Sequence, residues 1–313
     1  MKLINYIRNE NMKIYKRKRT WVLIALVAVF VILQIINVRA GDGATAAADW
    51  RSQLEQENHR LAEEAAEPDA LQIEIRQAEK NILLNEYSLQ HNLPPETNAW
   101  SFAGDLSGNI IFAVSLISII IAGEIAAAEF VSGTIKLLLT RSASRTEVYT
   151  AKYIAAILFG LGLTLLGLLL SLLFGGIMFG WGGLGDSYMY VRDHTVHQTP
   201  MLLSILGSYL FHLPFLLISV TLAFMISAGF RSPIFAIVIP LFVSVAGFVI
   251  SIAMNGWTWT RFFIFSHSDL SGYFLGDPAV KGMTLGFSLA FIGLHLAVMH
   301  LLSHTLFVKR DVS

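Results

Sequence analysis

The sequence predicts an all-α, polytopic membrane protein with six transmembrane helices, and three observations carry this prediction. Hydrophobic residues make up 55% of the 313 residues and charged residues only 14%, where a soluble domain has roughly 25% charged residues. Six largely uncharged stretches have about the length that a helix needs to cross a bilayer. No stretch alternates as a membrane barrel strand does, so helices are the expected way to satisfy the backbone in lipid. The six stretches are residues 21–38, 106–127, 151–179, 202–228, 233–254 and 284–307.

The basic residues predict that both chain ends lie in the cytoplasm. With the N-terminus inside, most of the 22 Lys and Arg residues fall in the inner segments, as the positive-inside rule requires. An even number of spans then returns the C-terminus to the same side. We therefore expect a multi-pass protein of the bacterial cytoplasmic membrane that contacts lipid. The formal net charge is zero, so no nucleic-acid partner is expected.

Residues 1–20 predict a cytoplasmic amphipathic elbow helix that lies on the membrane before the first span. Its apolar side chains can share one face, with Lys and Arg residues around it. The apolar run 21–38 is longer than a usual signal-peptide core, so we expect it to be retained as the first span. The apolar side chains of the elbow are Leu3, Ile4, Ile7, Ile14 and Tyr15.

The first outer loop, residues 39–105, predicts an extracellular helical hairpin. Residues 46–66 are rich in Ala, Glu, Gln and Leu, which favour helices. Pro68 interrupts this helix, and residues 67–69 suit the start of a second one. A proline pair at 94–95 ends the second helix. A spacer, a dimer contact and a substrate-selecting surface are the alternatives for its role.

The outer loop 255–283 is rich in aromatic residues but too interrupted to span the membrane. Aromatic side chains favour the headgroup level, so the loop predicts either an interfacial or re-entrant helix or a plain aromatic belt. Between the fourth and fifth spans, residues 229–233 predict a tight cytoplasmic turn, because Gly ends one helix while Ser and Pro begin the next. The aromatic residues are Trp257, Trp259, Phe262, Phe263 and Phe265.

The most informative stretch lies in the cytoplasmic segment 128–150. It starts with an acid at Glu129, is interrupted by Gly133 and Thr134, continues with an apolar triplet and closes with basic residues at Arg141 and Arg145. This pattern predicts a short amphipathic helix parallel to the membrane, able to meet a partner protein. An ordinary positive-inside loop is the simpler alternative.

The same stretch resembles the ABC-2 type transporter permeases. Its pattern is Glu-x-x-x-Gly-Thr-Ile-Lys-x-Leu-Leu, followed by Ser-Arg and by Lys152. The elbow helix, the six spans, the tight turn and the aromatic outer element are also similar to that family. One departure is Ser142, where the family often has proline. The resemblance implies that the coupling to an ATPase subunit is made by Glu129, Gly133, Thr134, Lys136, Arg141 and Arg145.

The resemblance also implies a function and partners. The chain would be the permease subunit of an ATP-binding cassette transporter, working as a dimer with a second copy or a paralogue. Its long first loop is similar to permeases of antimicrobial-peptide export and immunity, so an exported amphiphile such as a peptide, drug or lipid is expected. The chain has no Gly-x-x-x-x-Gly-Lys-Ser/Thr loop, so ATP and Mg²⁺ would be bound by the separate ATPase subunit. No catalytic residue and no cofactor are expected in this chain.

Glu124 and the histidines of the last span permit other hypotheses. An acid within a span must face a partner or water, so Glu124 is either a translocation-path residue or, as we favour, an acid paired with a basic residue. His300 and His304 share a helix face, but no further ligand is evident, so no metal site is expected. The alternatives are an intramembrane metal-dependent hydrolase built on these groups, and a membrane anchor or sensor whose outer hairpin binds a ligand.

Overall fold

Helices dominate the computed structural model, which describes residues 2–42, 50–131, 144–230, 232–254, 257–278, 280 and 282–309. Six helices are long and apolar enough to cross a membrane. The chain is therefore an all-α, multi-pass membrane protein, as predicted. In chain order, spans 1 to 6 are the helices Lys18–Asp42, Ser107–Val131, Arg145–Phe179, Met201–Gly229, Pro233–Ala253 and Leu285–Lys309.

Spans 2 and 4 form the centre of the bundle, while spans 1, 5 and 6 leave most of their apolar side chains exposed. Small residues allow the central helices to approach closely. A Cβ added at Gly123 of span 2 would overlap the backbone carbonyl of Ala236 in span 5. Ser227 of span 4 donates a hydrogen bond of 2.6 Å to the Gly123 carbonyl. These contacts hold spans 2, 4 and 5 together at one end of the bundle.

Span 3 has 35 residues, and at 1.5 Å per residue it is about 52 Å long, well beyond a hydrocarbon core of about 30 Å. Its helix begins at Arg145, inside the segment 128–150 that the sequence assigned to the cytoplasmic coupling segment before the third span. The early start has a local cause, because the Ser144 side chain accepts from the Glu147 amide and the Glu147 carboxylate accepts from the Ser144 amide at 2.8 Å. This capping box stabilises the first turn.

The elbow helix spans Lys2–Tyr15, and the predicted helical hairpin consists of Trp50–Ala65 and Gln72–His91. The second hairpin helix starts later than residues 67–69, because Glu74 bonds back to the Leu71 amide at 2.9 Å and sets the boundary there. The two hairpin helices pack against each other, with Asn85 donating to Asn58 at 2.8 Å. A short helix, Ala99–Asp105, leads into span 2.

The loop between spans 3 and 4 holds a β-hairpin that the sequence did not predict. Strands β1 (Ser187–Arg192) and β2 (Thr195–Pro200) pair antiparallel, with Arg192 opposite Thr195. Asp193 and His194 form the two-residue turn with φ values of 49° and 58°, a conformation usually reserved for Asn-Gly or Asp-Gly pairs. Without glycine in the turn, the pattern gave no hairpin signal.

The described residues of the aromatic loop do not form one continuous helix. It contains two short 3-10 helices, Thr258–Phe262 and Ile264–His267, and a single helical turn, Gly272–Leu275. The prediction of an interfacial or re-entrant helix is therefore wrong in form. The loop nevertheless folds inward, because Phe265 and His267 are buried.

Candidate functional site

The two ends of the bundle differ in chemistry. The elbow side carries the elbow helix, the starts of spans 1, 3 and 5 and the ends of spans 2, 4 and 6. The opposite end, the hairpin side, carries the helical hairpin, the β-hairpin and the aromatic loop. Charged pairs occur at both ends, but the acids of the elbow-side pairs are buried, whereas those of the hairpin-side pairs are exposed.

Glu124 of span 2 is bound by two arginines from the start of span 1. Arg19 contacts both carboxylate oxygens, with 2.5 Å between its Nη1 and Oε1. Arg17 Nη1 lies 3.4 Å from Oε2. A two-pronged arginine–carboxylate pair is among the stronger polar contacts in proteins. The acid is therefore paired with basic residues, and its role in translocation stays a prediction.

The elbow helix is fastened to spans 2 and 3 by a buried lysine. Lys152 is fully buried, and its Nζ donates to Glu10 Oε2 at 2.8 Å and to the Ile125 carbonyl at 3.2 Å. Lys13 also donates to Glu10, at 2.6 Å. Burial acts to raise the pKa of Glu10, but the two lysines outweigh it and the pKa is lowered. Glu10 is thus held as a carboxylate between the elbow and span 3.

The start of span 3 is joined to the end of span 6. Arg145 Nη1 donates to the Val308 carbonyl at 2.8 Å, close to the last turn of span 6, where basic side chains stabilise free carbonyls. Tyr149 donates to the His300 carbonyl at 3.0 Å, and Thr146 Oγ1 lies 3.2 Å from His304 Nε2. The histidines considered as metal ligands are therefore engaged by span 3. In the described ranges, no group of three or more His, Cys, Asp or Glu residues could hold a metal ion.

The predicted coupling residues fall partly outside this description. Gly133, Thr134, Lys136 and Arg141 lie outside the described residues, as does the side chain of Glu129, whose backbone belongs to the last turn of span 2. Arg145 is the first residue of span 3. The structure brings both ends of the predicted coupling segment to the elbow side.

Span 4 is helical over all of its 29 residues, and Pro214 lies near its middle. Proline has no amide hydrogen, so it leaves a break in the hydrogen-bond ladder of the helix. The aromatic loop bonds to the backbone on either side of this proline. Phe215 donates to the Ser268 carbonyl at 3.1 Å, and Leu270 donates to the Phe211 carbonyl at 2.9 Å.

Two glycines make room for the aromatic loop. A Cβ at Gly247 of span 5 would overlap the ring of Phe265, and one at Gly207 of span 4 would overlap the ring of Phe274. The loop therefore rests directly on the backbones of spans 4 and 5. Any other residue at these positions would have to displace it.

A polar cluster lies beside the break in span 4. His212 Nδ1 is 2.6 Å from the Ser208 carbonyl, to which it donates, and its Nε2 is 3.4 Å from Asp269 of the aromatic loop. Ser107 Oγ at the start of span 2 is 3.4 Å from the same Nδ1. The cluster places an imidazole and a carboxylate beside Pro214 of span 4. The sequence signals for it are a histidine within an apolar span and a proline two residues later.

Arg192 of β1 ties the β-hairpin to the aromatic loop. Its Nε donates to the Gly276 carbonyl at 3.0 Å, and its Nη2 donates to the carbonyls of Tyr273 and Phe274 at 2.9 Å. These are the free carbonyls of the short helix in the loop. The sequence gave no reason to single out Arg192, because its partners lie more than 80 residues further along the chain.

The helical hairpin also contacts the β-hairpin and the aromatic loop. Gln198 of β2 donates to Tyr87 Oη at 3.2 Å, and Lys80 lies 4.0 Å from Asp277 of the aromatic loop. The Asp193 amide donates to Asp277 at 3.2 Å. The helical hairpin, the β-hairpin and the aromatic loop are therefore one connected cap, and its inner edge enters the break in span 4.

The fold defines a six-span, multi-pass membrane protein with a capped hairpin side and a charged elbow side. The chain belongs to the family described as Protein of unknown function (DUF2705), whose sequence profile matches residues 74–313. It is 33% identical over 316 residues to the uncharacterized protein YhcI of Bacillus subtilis (strain 168), which covers 99% of this chain and 100% of that protein. It is also 27% identical over 217 residues to the uncharacterized membrane protein YdbK of the same organism, which covers 68% of this chain and 84% of YdbK. No solved structure matches.

Proposed function

We propose that this chain is the permease subunit of an ATP-binding cassette transporter, and that a separate ATPase subunit powers it. The observation that carries the proposal is the resemblance of residues 129–145 to the coupling stretch of ABC-2 permeases. Its position supports the proposal, since the two helices that flank the stretch both reach the elbow side. ATP and Mg²⁺ bind to the partner.

The elbow-side contacts provide a route for the force. The ATPase subunits close on ATP and push on the segment between spans 2 and 3. Arg145 passes this displacement to span 6 through the Val308 carbonyl, and Lys152 passes it to the elbow helix through Glu10. The elbow and the ends of spans 3 and 6 then move together, as the rigid part of a two-state transition.

On the hairpin side, the break in span 4 is the movable part. The aromatic loop is held there by backbone hydrogen bonds at Phe211 and Phe215. Withdrawal of the loop opens the bundle beside His212 and Asp269, where an amphiphile could leave. The cap connects this point to the helical hairpin, which is the first element that an external ligand would meet.

The orientation follows from charge. The elbow side is cytoplasmic, because most of the basic residues near helix ends belong to it. Both termini are then cytoplasmic, the cap faces outward, and the membrane is the bacterial cytoplasmic membrane. A dimer of this chain, or of this chain with a paralogue, forms the complete permease.

The arrangement of the polar side chains favours this function over a metal-dependent hydrolase. Such an enzyme would need Glu124 to share a site with His300 and His304. Glu124 is instead bound by Arg17, in the turn after the elbow helix, and by Arg19 of span 1. The two histidines are bound by span 3.

Co-purification tests the proposal. The tagged chain is purified in mild detergent, and its partners are identified by mass spectrometry; we expect an ATPase subunit with a phosphate-binding loop. Arg141→Glu should weaken this association by about tenfold, since one charge-assisted contact contributes roughly 1.5–3 kcal/mol. Lys309→Glu reverses a charge on the same side at the end of span 6 and is the matched control. A chain that purifies without any ATPase, or transport that continues without ATP, would refute the proposal.

A further inference from the structure

A small recess that is partly open to solvent lies between the elbow and span 2. Its lining is of two kinds. Three charged side chains come from the elbow and the turn after it, and three isoleucines come from the elbow helix and span 2. The lining residues are Glu10, Lys13, Arg17, Ile14, Ile121 and Ile125.

Arg17 has hydrogen-bonding capacity left over in this recess. Arg19 already takes both oxygens of Glu124, and Arg17 reaches that carboxylate with a single nitrogen at 3.4 Å. The Arg17 side chain is 38% exposed. A guanidinium has several N–H donors in a planar fork that matches two oxygens of a phosphate. Most of those donors are therefore not used by Glu124.

The recess is at the depth of lipid headgroups. Arg17 lies in the turn between the elbow helix and span 1, and Glu124 lies in the elbow-side part of span 2. Ile4, Met12 and Trp21 are exposed apolar side chains around the same turn, which indicates that the elbow rests against acyl chains. Basic recesses beside membrane helices at this level bind anionic lipid headgroups.

We propose that this recess binds the phosphodiester of an anionic phospholipid, with Arg17 as the two-pronged ligand of the phosphate. The exposed side chains of Ile4, Met12 and Trp21 around the same turn contact the acyl chains. The inference needs only the six-span fold and the elbow, so it stands apart from the proposed transport function.

Lipid binding to the purified chain tests this site. The protein is delipidated in detergent, and native mass spectrometry and thermal unfolding are measured with phosphatidylglycerol, phosphatidylcholine or inorganic phosphate. We expect phosphatidylglycerol to bind best and to raise the midpoint of unfolding. Arg17→Gln should weaken its binding by about tenfold, the effect of losing one charge-assisted contact.

Matched variants distinguish binding at this recess from general electrostatic attraction of anionic lipid to the elbow helix. Arg8→Gln removes the same charge from the exposed part of the elbow helix and should weaken binding much less than Arg17→Gln. Arg17→Lys keeps the charge but loses the fork, so it should fall between the wild type and Arg17→Gln, and it serves as the test if Arg17→Gln does not fold. Equal losses for Arg8→Gln and Arg17→Gln, or Arg17-dependent binding of inorganic phosphate without a preference for phosphatidylglycerol, would overturn the proposal.

Discussion

At the scale of single residues, the position of the elbow helix depends on two ionised side chains that are buried. Lys152 is fully buried and Glu10 nearly so. Desolvation of two charges is costly, and their mutual attraction offsets it only while both are present. The pair therefore fixes where the elbow helix docks, and removal of either partner alone should be far more harmful than removal of both.

Glu10→Gln should lower the stability of the chain by about 3–5 kcal/mol, because it leaves the Lys152 ammonium buried without its carboxylate. The double variant Glu10→Gln with Lys152→Met should recover part of this loss. Thermal unfolding in detergent measures both. Glu57→Gln on the exposed hairpin surface, where Glu57 pairs with Arg60, is the control and should leave the midpoint nearly unchanged. A double variant as unstable as the single one would contradict this account.

The same carboxylate predicts a pH dependence. The lysines hold the pKa of Glu10 below its ordinary value of 4.5, so the folded state binds a proton less readily than the unfolded state. The stabilisation is then complete above about pH 4.5 and is lost as the pH falls through the lower, folded pKa. The difference in unfolding midpoint between the wild type and Glu10→Gln should therefore shrink as the pH falls below about 4.5. A difference that grows on acidification would show that the pKa is raised instead.

At the scale of elements, span 4 and the aromatic loop complete each other. Span 4 contains Pro214 within its helix, and the loop holds only short helical turns. The two elements bond to each other through the backbone groups of Phe211 and Phe215. The sequence contains the proline and the interrupted aromatic run. It gives no sign that the two meet, because the bond between Phe215 and Ser268 joins residues more than 50 positions apart.

Replacement of Pro214 should loosen the loop. Pro214→Ala restores an amide hydrogen and lets span 4 close its own hydrogen bonds, so the Phe211 carbonyl and the Phe215 amide become less available to the loop. The chain has no cysteine, so Ser268→Cys introduces a single thiol at a position that is 3% exposed. We expect this thiol to react slowly with a maleimide when Pro214 is present and at least about tenfold faster in the double variant Ser268→Cys with Pro214→Ala. A tenfold change corresponds to a loss of about 1.4 kcal/mol in the free energy that holds the loop against span 4. Equal labelling rates with and without Pro214→Ala would mean that the docking of the loop does not depend on the proline.

Arg192 offers a second test with the same thiol. Arg192→Gln removes the hydrogen bonds to Tyr273, Phe274 and Gly276 and should also speed the labelling of Ser268→Cys, because the cap holds the loop from its other end. Arg261→Gln, an exposed arginine of the same loop, is the control and should leave the rate unchanged. Unchanged labelling with Arg192→Gln would show that the β-hairpin and the loop are independent.

At the scale of the whole molecule, apolar length and basic residues were enough to predict six spans and the elbow, and helix-forming residues with prolines were enough to predict the helical hairpin, because these features are encoded locally. The cap was not predictable in the same way. Its contacts join three separate loops, and its β-hairpin has a turn of Asp193 and His194 without glycine. On the elbow side, the sequence identified Glu124 as an acid in need of a partner and quoted Lys152 only as part of a pattern. That Lys152 is buried against Glu10 follows from packing of the elbow helix, which local patterns do not specify.

The orientation of the bundle decides whether the proposed function is possible, because ATP is available only in the cytoplasm. Single thiols again provide the measurement in a chain without cysteine. Glu63→Cys lies on an exposed surface of the helical hairpin, and Arg8→Cys lies on an exposed surface of the elbow helix, separated from it by one span. In intact cells, a membrane-impermeant maleimide should label Glu63→Cys and spare Arg8→Cys, while permeabilised cells should show labelling of both. The reverse pattern would place residues 129–145 outside the cell, where no ATPase subunit could drive them, and the permease proposal would fail while the fold, the buried Glu10–Lys152 pair and the cap would stand.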